Sequence, residues 1–202
     1  DLVLERTLEL IAYVESQREK LGIEGIAYEV GTEETMGGLI SPEAFEGFVK
    51  ALKEQLSQRG LPMPLFVVGQ TGTLTRLTEN VGHYDTATAA ALSGICERYG
   101  TGLKEHNGDY LKNPILLEHP VIGLAAMNVA PEFGLVETQA YLELEELEGK
   151  FVPAGSRSQI GKALRKYAVE GQRWRKWMVG AKRSAPLEET LESEEDSALI
   201  TR

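Results

Sequence analysis

The chain has 202 residues, 42% hydrophobic and 26% charged, an ordinary balance for a soluble globular protein with room for one sizeable core. Its net charge of −10 argues against general nucleic-acid binding, and no stretch has the length of a membrane span or the pattern of a signal peptide. The single cysteine, Cys96, excludes an intrachain disulfide and fits a reducing, cytoplasmic setting; beside the apolar run Ala89–Ile95 it reads as a buried structural thiol.

Hydrophobic periodicity then lays out a regular plan. Leu2–Leu21 reads as an amphipathic helix, with Leu4, Leu8, Ile11 and Val14 on one stripe and Gly22 closing it. It begins as a helix already under way, without an initiator methionine, which suggests a partial or processed chain. Gly25–Glu33 is a strand. Ser41 and Pro42 start a helix that runs to Arg59 and stops at Gly60, Ser serving as N-cap and Pro at the first turn. Pro64–Gly69 is a second strand of the fully buried type. After a polar loop, Asp85 opens a helix through Arg98. Gly102–His106 is the third strand, Pro114–His119 a short helix, and Ile122–Val129 the fourth strand. Pro131 and Glu132 then begin a helix that ends near Glu148.

Four strand-then-helix units imply an α/β fold with a parallel sheet and right-handed crossovers. Each strand ends in unusual residues: Glu33 and Glu34, then Gln70, then His106 and Asp109, then Asn128. Such a polarity is the mark of a (β/α)8 TIM-type barrel, whose sites lie at the C-terminal ends of its strands. The rival, a doubly wound open sheet, lacks a Gly-rich dinucleotide or phosphate loop after any strand. Four units make half of an eight-fold barrel and would expose two edges and an inner face. A missing half-barrel of the same polypeptide, or a second chain, is therefore expected to complete it. Residues 1–150 form the half-barrel on this reading. Residues 151–186 form a basic helical extension packing on it, and residues 187–202 an acidic, disordered tail. Within 156–183 stand nine Lys/Arg and one acid, Glu170, interleaved with Tyr167, Trp174, Trp177 and Met178. An amphipathic helix with its aromatics on a neighbour explains that stretch without nucleic acid.

The strand ends carry a resemblance. Tyr28-Glu-Val-Gly-Thr-Glu33 followed by Gly37-Gly38, Phe66-Val-Val-Gly-Gln70, Glu105-His106-Asn-Gly-Asp109-Tyr110, and Asn128-Val-Ala-Pro131 before a Glu-rich helix occur in order. In this they resemble the C-terminal half of the non-catalytic subunit family of class II tagatose-bisphosphate aldolase, once called tagatose-6-phosphate kinase. The likeness covers residues 1–150, with Arg173-Trp174 as a weaker echo. It implies a TIM-type barrel with an N-terminal half, and a role in carbohydrate metabolism beside a separate zinc-binding catalytic aldolase subunit or in a homo-oligomer. It also implies a sugar or sugar-phosphate pocket, with Glu33, Gln70, His106 and Asp109 as matched positions. Some relatives look like stand-alone ketohexose epimerases. The chain departs from the family pattern at Lys104, where an acid is usual, and at Asn128, where a lysine is usual.

The residues admit several chemistries. Glu33 and His106 could ligate a divalent metal (zinc, manganese or magnesium), with Asp109 or Glu34 exchanging a proton in a ketose epimerase or aldolase. Lys104 could serve a Schiff-base aldolase, unless it forms a structural ion pair with Glu29. Gln70 and Asn128 suit sugar hydroxyls, and the Gln70-Thr71-Gly72-Thr73 backbone could cradle phosphate. His83 is a lid or phosphate contact, or else a solvated loop residue. His119 reads as a helix-terminal residue facing the dipole.

Overall fold

The computed structural model describes residues 2–31, 41–76 and 78–177. It contains, in chain order, α1 (Leu2–Leu21), β1 (Glu29–Gly31), α2 (Pro42–Gln58), β2 (Phe66–Gly69), β3 (Thr75–Arg76) and β4 (Glu79–Asn80). There follow α3 (Thr86–Tyr99), β5 (Gly102–Glu105), α4 (Asn113–Glu118), β6 (Ala126–Met127), α5 (Pro131–Phe151) and α6 (Ile160–Gly171), with short 3-10 turns at Ala154–Ser156 and Arg173–Trp177. The chain divides into two compact units, Asp1–Asn128 and Val129–Arg202.

In the first unit, β1, β2, β5 and β6 form a parallel sheet whose spatial order follows the chain order. Among these four strands there is no reversal of direction. A doubly wound sheet reverses direction at a switch point, whereas a monotonic order with right-handed crossovers puts every helix on one face. The core agrees. Val30, Val67 and Leu103 pack with Leu8 and Ile11 of α1, with Phe45, Val49, Leu52 and Leu56 of α2, and with Leu92, Ile95 and Cys96 of α3. Burial pushes the Cys96 thiol up to about 12, as befits a packing residue.

The helices start where the sequence provides caps. Ser41 Oγ accepts from Ala44 N at 3.1 Å, with Pro42 in the first turn. Asp85 Oδ1 accepts from Thr88 N at 2.6 Å and opens α3, which ends on the left-handed Gly100. The opposite face of the sheet carries Glu29, Phe66, Val68 and Lys104, none of them fully buried. Close approach on this face demands glycine at Gly102, where a Cβ would stand 2.7 Å from Ala125 Cβ and 3.1 Å from the Phe66 ring.

The strands are shorter than the apolar runs that suggest them. Pairing at the last strand is confined to Ala126–Met127, because Pro120–Gly123 turns first and Leu124 N bonds back to His119 O. The loop after β2 holds an antiparallel hairpin, β3 with β4, that no periodicity announces.

In the second unit, α5 and α6 form a helical pair. Glu148 accepts from Ser158 N and Oγ at 2.8 and 2.7 Å, and Arg157 donates to the carbonyls of Val152 and Gly149. Trp174 is buried, while Tyr167 is largely exposed. The acidic tail and Met178 lie outside the described residues. No helix among the described residues is long and apolar enough to cross a membrane.

Candidate functional site at the strand ends

Two of the sequence-derived strand ends meet. The segment leaving β2, Gln70-Thr71-Gly72-Thr73, lies along the end of β5. Gln70 Nε2 is 3.3 Å from His106 Nδ1, Thr71 Oγ1 donates to Glu105 Oε2 at 2.6 Å, and Thr73 Oγ1 donates to the His106 carbonyl. Parallel pairing of β2 with β5, Gly69 opposite Glu105, brings these residues level. His106 is thus gripped at its ring and at its backbone.

Asn80, at the end of β4, organises the loop beyond. Its Nδ2 donates to the carbonyls of Asn107 and Asp109 at 3.0 and 2.9 Å, while its Oδ1 accepts from Leu74 N and Gly82 N. One amide side chain therefore meets four backbone groups, which explains how the loop holds Asn107 and Tyr110 at φ near +60° (61 and 59). The hairpin sits so close that a Cβ on Gly82 would lie 2.2 Å from the Gly72 carbonyl oxygen. Asn128 closes the other side through its backbone, donating to Glu105 O and accepting from Gly108 N, both at 2.9 Å.

Sequence reasoning overlooked Asn80 and Tyr84, and it gave Glu105 no role of its own. Strand alternation sets Glu105 on the helix side with Leu103. The carboxyl is fully buried there, and desolvation, offset in part by the Thr71 hydroxyl, lifts its pKa to about 7. Its Oε1 has no hydrogen-bond partner and lies 3.7 Å from His119 Nε2. His119 does end α4, as expected, but its ring is buried against Glu105 and the Tyr84 ring rather than left facing the dipole. Burial lowers its pKa. Burial and the neighbouring carboxylates raise the Tyr84 phenol to about 12.

The other candidates are placed as follows. Lys104 Nζ donates to Glu29 Oε2 at 2.5 Å on the opposite face, the structural ion pair weighed against Schiff-base chemistry. Of the segment whose backbone is the expected phosphate cradle, the Thr71 hydroxyl is turned inward to Glu105, and Thr71 O accepts from Asp85 N. Asp109 is buried beneath the loop, and His83 is an exposed loop residue. Glu33 and Glu34 lie outside the described residues. Among the described residues no group of three His, Cys, Asp or Glu could hold a metal, and His106 offers the Gln70 amide, not a carboxylate, at Nδ1. The described residues therefore do not by themselves make a metal centre.

No family model matches the sequence. Among solved structures, the chain is similar to a probable tagatose 6 phosphate kinase from Sinorhizobium meliloti 1021, with TM-score 0.63 and 23% identity over 87% of this chain. It is also similar to the native fructuronate-tagaturonate epimerase UxaE from Cohnella laeviribosi, with TM-score 0.50 and 12% identity over 97% of this chain. The chain spans 45% of the first protein and 38% of the second. The likeness is one of fold, and the resemblance carried by the four strand ends is met by a solved structure that bears the tagatose-6-phosphate kinase name.

Proposed function

We propose that this chain is the C-terminal half of a (β/α)8 barrel acting in carbohydrate metabolism, as a subunit that supports a class II tagatose- or ketose-bisphosphate aldolase. A sugar-phosphate pocket lies on this reading at the C-terminal ends of the strands. The observation that carries it is the meeting of Gln70 and His106 at the ends of adjacent parallel strands. Open (β/α) sheets and barrels bind ligands there because the loops, not the packed strands, can be varied to face them. An amide and an imidazole on a rigid frame suit hydroxyl and carbonyl oxygens. The likeness of fold to the tagatose-6-phosphate kinase structure supports the substrate class.

Among the described residues β1 and β6 each pair on one side only, and an N-terminal half-barrel completes the domain on this reading. The catalytic aldolase subunit is the partner, in the cytoplasm. Co-purification of the intact protein with a class II ketose-bisphosphate aldolase subunit, and a rise in that subunit's activity or half-life, is the expected outcome. A folded protein that neither binds nor alters the aldolase contradicts the subunit role.

A further inference from the structure

We propose that the cleft between α5 and α6 docks this chain's own C-terminal acidic segment, residues 187–196, with Leu187 and Leu191 on its apolar floor and the glutamates against the cations of its rim. The cleft lies within the second unit and measures about 960 Å³. Its floor is apolar, built from Leu142 of α5 with Leu164 and Ala168 of α6, each only partly buried. Three cations line it from α6, Lys162, Arg165 and Lys166, all of them exposed. Lys166 Nζ lies 3.8 Å from Glu170 Oε1, an exposed pair of small worth. Lys162 and Arg165 have no ion-pair partner among the described residues. The remaining acid of the lining, Glu145, is set against Gly161, where a Cβ would lie 2.4 Å from its Oε2.

Charge, apolar content and reach identify the occupant. Residues 178–202 lie outside the described residues. Within them Glu188, Glu189, Glu192, Glu194, Glu195 and Asp196 supply acids with no intervening cation. Leu187 and Leu191 stand four apart in the same run, a spacing at which two side chains reach one groove. An apolar floor with a cationic rim thus meets paired leucines among carboxylates. Leu187 is ten residues beyond Trp177, at most about 36 Å of extended chain, whereas the 12 residues of α6 span about 18 Å. Every point of the cleft is therefore within reach. A short tether gives an effective concentration in the millimolar range, so contacts that are weak one by one suffice.

Paramagnetic broadening in the 15N-labelled full chain tests the docking. A nitroxide is attached through Ser193→Cys; Cys96 is buried, and the wild-type chain treated with the same reagent controls for it. Strong loss of amide intensity at Leu142, Leu164 and Ala168 is expected. Salt at about 1 M, where the Debye length is about 3 Å, restores part of that intensity. Replacing Glu188, Glu189 and Glu192 together by Gln restores it as well. No broadening at the cleft overturns the proposal, and broadening unmoved by both salt and the Gln substitutions overturns the charge recognition it rests on. A mixture of 15N-labelled wild-type chain with unlabelled, nitroxide-bearing chain separates the remaining occupant: broadening in the mixture assigns the contact to a second copy and overturns docking within one chain. The outcome is independent of whether the strand ends bind a sugar phosphate.

Discussion

Lys104 and Glu105 are neighbours on one strand, yet they live in opposite solvents. On one face of the sheet Lys104 reaches Glu29 across the strands, with 17% and 41% of the two side chains exposed. On the other, Glu105 is sealed among α3, α4 and the segment after β2, beside His119 and Thr71. The difference teaches where charge is tolerated. On the Lys104 face, a counter-ion and partial access to water share the load. On the packed face, the carboxyl is stabilised by losing its charge.

The sharpest way to break this comparison is to cut into the packed face. Leu103→Ala, beside Glu105 on the same side of β5, should cost about 2–5 kcal/mol in chemical denaturation, since Leu103 is fully buried. A loss below about 1 kcal/mol would mean that the face is not packed as described.

Glu105 predicts a pH signature of the next size. Its folded pKa is about 7, above the unfolded value near 4.5. The folded state therefore binds a proton that the unfolded state releases. The stability Glu105 contributes is fully present below the unfolded pKa and is lost as pH rises through about 7. The stability difference between wild type and Glu105→Gln should fall between those limits, by up to about 3 kcal/mol. A difference that stays level across the window would place a charged carboxylate at this position in both states.

Asn80 tests the frame around the site. Removing its four bonds in Asn80→Ala should cost about 1–3 kcal/mol and speed amide exchange in residues 106–110. Unchanged exchange there would show that the loop holds itself. Last, Lys104→Ala on the open face should shift stability by no more than about 1 kcal/mol. An effect as large as that of Leu103→Ala would erase the contrast between the faces.

The sequence makes the packed face legible because local signals and tertiary partners coincide. Ser41, Pro42 and the Phe45-Val49-Leu52-Leu56 stripe specify both the start of α2 and the face it buries. Leu2–Leu21 is read to the residue for the same reason. The strand ends are legible by residue type, since an amide directly after an apolar run marks Gln70 and a crowd of polar residues after Leu103 marks His106 in the sequence itself. What escapes is set by contacts distant in sequence. Asn80 looks like an ordinary loop residue until its bonds to residues 107 and 109 are known. His119 reads as a helix end because its partner Glu105 lies on a different element. The fourth strand is overestimated, since an apolar run records burial and not ladder pairing. The turn through Gly123, at φ 76°, delays pairing until the run is half spent.

The central claim is that the strand ends around Gln70 and His106 bind a phosphorylated ketose. Titrating tagatose 1,6-bisphosphate into the 15N-labelled protein tests it most directly. Saturable amide shifts centred on Gln70, Thr71 and His106, lost in His106→Gln while the fold is retained, are the predicted result. No shift at millimolar ligand, or shifts confined to the lysine-lined cleft of Lys50 and Lys53 between α2 and α3, would contradict it.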